Sequence, residues 1–136
     1  MEVGGKMKLI LILKEICYRL GLIADYVVEQ GETGEWAWRK WNSGKAECWT
    51  KNNGTTRTGS IAASAIMGGY YTYTILTLPF EFIYNTINVQ ANGQLGTGLG
   101  FGFAGVNTST SIALYIFGNQ AESRMTYNVY VTGKWK

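Results

Sequence analysis

Residues 35–51 read Glu-Trp-Ala-Trp-Arg-Lys-Trp-Asn-Ser-Gly-Lys-Ala-Glu-Cys-Trp-Thr-Lys and hold four of the five tryptophans in the chain. Trp36, Trp38 and Trp41 lie before, and Trp49 after, the polar triplet Asn42-Ser43-Gly44. Two short aromatic runs around such a triplet predict a β-hairpin. Successive side chains on a strand point to opposite faces, so Trp36, Trp38 and Lys40 share one face while Ala37, Arg39 and Trp41 share the other. Both faces therefore carry tryptophan. The first reading is that these rings anchor a small β core, because tryptophan buries a large apolar area and seeks a partner for its indole N–H. The second is that one or two of them stay at the surface as stacking platforms.

A chain of 136 residues supports one domain with a real core. Residues 1–5 are expected to be a disordered start. From Lys6 onward the pattern is helical. Leu9, Leu13, Ile16, Leu20, Ile23 and Val27 recur at alternating steps of four and three, the a/d spacing of a coiled coil. Leucine at a with isoleucine at d favours more than two strands, which fits a trimeric coil. The competing reading is an amphipathic helix packed on its own domain, because Ile10, Leu11, Ile12 and Leu22 lie outside that seam and Gly21 weakens it. The apolar run 9–13 is too short to span a membrane. The boundary is placed after residue 30, with residues 1–30 a helical segment and linker, and 31–136 the β domain. Gly31-Glu32-Thr33-Gly34 reads as a turn-like linker.

Beyond it the pattern is β throughout. Residues 52–59 read as a loop, and 61–67 as a strand or an irregular crossing. Residues 70–78, rich in aromatic and β-branched side chains, are a strand that the single proline, Pro79, ends in a bend. Further strands are expected at 86–91, with Ile87, Val89 and Ala91 on one face, and at 93–105, whose glycines would face a close neighbour. Segments 111–117 and 125–131 complete the set. Seven or eight strands at roughly ten-residue spacing predict a mainly β chain, an antiparallel β-sandwich of jelly-roll or lectin-like type preceded by one N-terminal helix.

The composition narrows the chemistry. The chain has no histidine, so it lacks the base of a Ser-His-Asp or Cys-His arrangement and the usual nitrogen ligands for zinc or haem. Cys17 and Cys48 have no C-x-x-C spacing and read first as buried free thiols, with a disulfide between them as the alternative. No metal, cofactor or enzymatic activity is expected. The one carboxylate pair open to sugar hydrolysis is Glu35 and Glu47 across the hairpin, and a salt bridge to Arg39, Lys40 or Lys45 explains these residues more simply. Net charge is +3 with the basic residues scattered, which gives no stripe for nucleic acid. With 46% hydrophobic and 15% charged residues, the surface must rely on Ser, Thr, Asn, Gln and Gly, as suits an extracellular or virion β protein. Such a surface has what carbohydrate recognition uses: flat rings for sugar faces and short polar groups for hydroxyls.

Tyr26-Val27-Val28-Glu29-Gln30-Gly31 followed by Trp36-Ala37-Trp38-Arg39-Lys40-Trp41-Asn42-Ser43-Gly44-Lys45-Ala46-Glu47-Cys48-Trp49, with Leu78-Pro79-Phe80-Glu81-Phe82 and the closing Gly133-Lys134-Trp135-Lys136, resembles the C-terminal domains of tail-fibre and baseplate proteins from phages and prophages of Gram-positive bacteria. Leu78-Pro79-Phe80-Glu81-Phe82 and the last strand bear a fainter likeness to trimeric H-type lectins. The chain departs from the first pattern at Ala37-Trp38, where Thr-Tyr is more frequent, and at Lys45, where a small apolar residue is usual. The resemblance implies a virion protein that meets the host surface as a homotrimer, beside other tail or baseplate proteins, and binds cell-wall polysaccharide. The alternative is a structural module that caps or trimerises a fibre and binds no ligand. Under the first reading the candidate ligand contacts are Trp36, Trp38, Trp41 and Tyr71.

Overall fold

The structure, a computed structural model, describes residues 3–51, 55–58, 62–63, 69–121 and 124–136. Helix α1 (Val3–Arg19) precedes β1 (Val27–Thr33), β2 (Trp36–Trp41), β3 (Lys45–Thr50), β4 (Thr55–Thr58), β5 (Ala62–Ala63), β6 (Tyr70–Thr77), β7 (Asn88–Leu95), β8 (Gly100–Thr108), β9 (Ser111–Gly118) and β10 (Arg124–Lys134). The strands form two antiparallel sheets, so the chain is mainly β with the layout of a sandwich. The six-stranded sheet runs β1-β2-β3-β10; β7 pairs along one edge of β10, and β4 continues the other edge beyond the end of β3. The four-stranded sheet runs β5-β6-β9-β8.

Alternation along the strands builds the core. Tyr127, Val129 and Val131 of β10, Ile112, Leu114 and Ile116 of β9, and Leu76 of β6 are all buried, together with Trp36, Cys48, Phe82 and Leu95. Each such aliphatic or phenyl side chain contributes about 1.5–3 kcal/mol on burial. Trp36 also links the sheets, because its Nε1–H donates to the Thr77 carbonyl at 2.8 Å. Both cysteines are free thiols, and burial pushes the Cys48 thiol well above its ordinary range.

The hairpin forms as its sequence predicts. Arg39 pairs with Glu47 and Trp38 with Cys48, and Gly44 closes the turn at φ +90°, a conformation that favours glycine. Asp25 holds this turn from outside, accepting from the Ser43 amide at 3.0 Å and from the Ser43 hydroxyl. The three stretches that carry the family resemblance lie against one another. Trp135 donates its amide to the Gly44 carbonyl at 3.0 Å and its indole N–H to the Trp41 carbonyl at 3.2 Å. Trp38 meets Phe80 edge-on at 5.6 Å, and the Lys40 ammonium lies 4.8 Å from both the Phe80 and Trp135 rings.

The N-terminal part departs from expectation. The helix starts at Val3, inside the stretch expected to be disordered, and stops at Arg19, so only Leu9, Leu13 and Ile16 of the six seam positions are helical. The reason is Gly21, which adopts φ +71°: its amide bonds the Tyr18 carbonyl and the Leu22 amide bonds that of Cys17, a Schellman C-cap. Gly21 therefore ends the helix where it was expected merely to weaken it. Leu20 and Ile23 fall in the connection, and Val27 opens β1. Residues 27–30 thus already belong to the sheet. Gly31 is not in a linker either. It is a strand residue where an added Cβ would lie 2.9 Å from the Trp38 ring.

Two further boundaries move. Residues 55–58 are a strand paired to β10, whereas the rest of the expected 52–59 loop and most of 61–67 lie outside the described residues. The single strand expected at 93–105 is two, β7 and β8, because the chain turns at Gly96-Thr97-Gly98. Gly93, Gly98, Gly100 and Gly102 do face close neighbours, and Gly105 does not. A Cβ on Gly102 would lie 2.6 Å from the Gly93 nitrogen, and one on Gly100 2.5 Å from the Phe117 carbonyl oxygen. β7 and β8 belong to different sheets, so these glycines let the sandwich close along one side.

Gly102→Ala is expected to lower stability by about 1–3 kcal/mol, the cost of overpacking against backbone that has little room to move. Gly105→Ala on the same strand, where a Cβ meets nothing within 4 Å, should change it much less. Denaturant melts of the two variants beside the parent provide the comparison.

Candidate functional site

The outer face of the six-stranded sheet is ordered in rows, because directly paired residues on neighbouring strands share a face. One row runs Glu32, Ala37, Trp49, Tyr130, Gln90, and the next runs Gln30, Arg39, Glu47, Thr132, Asn88. Asn128 and Asn92 form a pair on the other side of the Trp49 row.

Charged and aromatic groups interlock here. Arg39 is ion-paired with Glu47, and its guanidinium lies 4.9 Å from the Trp41 ring centroid and 5.5 Å from that of Trp49. Such stacking holds both rings in place. The other oxygen of Glu47 accepts the Tyr130 hydroxyl. Glu47 is buried by this arrangement, with a cation and a hydroxyl as partners. The bond to Glu47, then burial, then the Glu47 charge push the Tyr130 hydroxyl up to about 12.

Beside this network lies an open depression of about 520 Å³ lined by Trp49, Thr50, Gln90, Ala91, Asn92, Asn128, Val129 and Tyr130. It sits at the position on β10 where the neighbouring strand changes from β3, which ends at Thr50, to β4, which begins at Thr55. There the Val129 amide donates to the Thr50 hydroxyl at 3.2 Å. Two aromatic rings and three carboxamides thus surround a space within the usual size range of ligand sites. Each carboxamide both donates and accepts, and none of the lining residues carries a charge.

The four residues singled out from sequence do not converge. Trp36 is removed from the candidate surface, being 3% exposed with its indole bonded to Thr77. Trp38 is half-buried on the same inward face, and its Nε1–H donates to the Thr33 hydroxyl at 3.1 Å. Trp41 lies on the outer face beneath Arg39. Tyr71 is on the other sheet with its ring stacked on Phe117 at 5.8 Å. Sequence reasoning placed Trp49 in the hairpin without choosing it, and missed Tyr130, Gln90, Asn92 and Asn128. Asn88 and Gln90 alternate with Ile87, Val89 and Ala91 and so share the opposite face of their strand, which was the available signal. Their meeting with β10 depends on long-range pairing.

Glu35 and Glu47 do not form a facing pair. Glu35 accepts the hydroxyl of Tyr127, whose ring is in the core, while Glu47 is held by Arg39 and Tyr130 on the outer face. Among the described residues, no cluster of three or more histidine, cysteine or carboxylate side chains is placed to hold a metal ion.

No protein-family model, curated protein or solved structure matches the chain at a significant level.

A folded state that keeps Tyr130 protonated past the usual tyrosine value of about 10 binds an extra proton there. Its stabilising contribution is full below about pH 10 and is lost as pH rises to about 12. Denaturant midpoints between pH 8 and 12 should fall over that window, and Tyr130→Phe should lessen the fall, the remainder coming from the buried Cys48 thiol.

Proposed function

We propose that this chain is a host-recognition domain at the tip of a phage or prophage tail or baseplate, binding neutral cell-wall carbohydrate as a homotrimer. The observation that carries the reading is the uncharged depression in which Trp49 and Tyr130 stand beside Gln90, Asn92 and Asn128. A pyranose offers C–H groups for an aromatic ring and hydroxyls that both donate and accept, which suits a pair of rings among carboxamides. The resemblance of residues 26–49, 78–82 and 133–136 to tail and baseplate domains supplies the biological setting: a virion protein, outside the cell, acting without a cofactor or catalysis, beside other tail proteins. Three linked copies turn a weak single site into firm attachment.

The test is retention on purified wall polysaccharides of Gram-positive bacteria, followed by titration of the best one. Gln90 and Asn92 are exposed, so their replacement leaves the core untouched. Gln90→Ala and Asn92→Ala should each weaken binding roughly twofold to tenfold, the range for losing one hydrogen bond, with unchanged melting. Trp49→Ala should weaken it more. Absence of retention on every wall polysaccharide tried would favour the fibre-capping alternative.

A further inference from the structure

The four-stranded sheet has the opposite character on its outer face. Tyr71, Tyr73 and Ile75 of β6, Tyr115 and Phe117 of β9, and Phe101 and Phe103 of β8 all point outward, the six rings in two rows, Tyr71, Phe117, Phe101 and Tyr73, Tyr115, Phe103, with Ile75 beyond them. Tyr73 is 58% exposed, Phe101 55%, Phe103 47% and Ile75 45%. Strands β6, β8 and β9 contain no charged residue at all. A sheet without charge on either face reads as one covered on both.

The rings are poor platforms for sugar. Neighbours in the rows stack at centroid distances between 5.2 and 5.9 Å with 9° to 27° between planes. The faces that stack are spent on one another. The lack of flanking Lys or Arg on these strands also gives an anionic membrane nothing to attract.

We infer that this aromatic face is where copies of the chain meet, its occupant being the same face of a second copy. Three observations select that partner. An uncharged face has no like charges to repel when it meets itself. The face also has relief for a second copy to press into: Leu99, 80% exposed, lines a notch of about 510 Å³ together with Tyr70, Phe101, Phe117 and glycine backbone. Finally, the exposed apolar surface is roughly 600 Å² per copy on ordinary aromatic side-chain areas, so two copies face to face bury about 1,200 Å², the lower bound for a specific stable interface. A face that meets itself forms a twofold pair, so this contact is separate from the threefold assembly of the reading above, stands on this sheet's chemistry alone and survives if no glycan binds.

Light scattering after size exclusion on the full chain tests it. The parent should elute at an even multiple of its chain mass, and Tyr73→Lys and Phe103→Lys should halve that mass with unchanged circular dichroism. Should the lysine variants fail to fold, Tyr73→Thr and Phe103→Thr, which keep β propensity, should raise the dissociation constant at least tenfold. Leu13→Lys and Ile16→Lys on α1 should leave the mass unchanged. A monomeric parent overturns the proposal, whether or not it floats with lipid vesicles. So does a mass that only the α1 variants reduce. Loss of polysaccharide retention by Gln90→Ala with the mass intact separates the two readings.

Discussion

The structure depends on both edges of β10 being paired at once. Along one edge it pairs with β7 from Met125 to Thr132; along the other it meets β4 and then β3. Because Tyr127, Val129 and Val131 point inward from the same strand, the ladder that organises the six-stranded sheet also sets the core. Strands distant in sequence, β3 and β7, are joined into one sheet by lying on either side of it. The depression on the outer face follows directly, since a strand with two successive neighbours on one edge has a junction between them.

How much of this was legible depends on the range of the interaction. The hairpin around Asn42-Ser43-Gly44, the strand before Pro79 and the inward set Ile87, Val89, Ala91 were readable because turn chemistry and period-two alternation are local. The end of α1 was misread because heptad spacing and a Schellman cap compete at Gly21, and the backbone geometry of that glycine prevailed. Gly31 was misread for a related reason: glycine signals a turn or a close approach, and here the Trp38 ring requires the second.

The site was less legible than the fold. Tryptophan density pointed to the hairpin, but burial divided those rings. Trp36 went to the core and links the sheets, Trp38 packs on Phe80, and Trp41 and Trp49 lie by Arg39. The residues that complete the depression come from β7 and β10, whose amides look unremarkable in a chain rich in Asn and Gln. Only their cross-strand pairing gives them a common address.

The uncharged strands of the four-stranded sheet bear on the life of the chain before it is folded. A strand such as Tyr70–Thr77, aromatic and β-branched and free of charge and proline, has the composition of segments that add to one another in cross-β stacks. Natural sequences usually flank such runs with charged or proline gatekeepers; Pro79 and Glu81 follow β6, but β6, β8 and β9 carry no charge of their own. Protection must then come from order of assembly: β9 gains β6 and β8 as neighbours within the chain, and the remaining face stays adhesive until it is covered. Newly made chains are thus most vulnerable to aggregation when partly folded and crowded by their own kind.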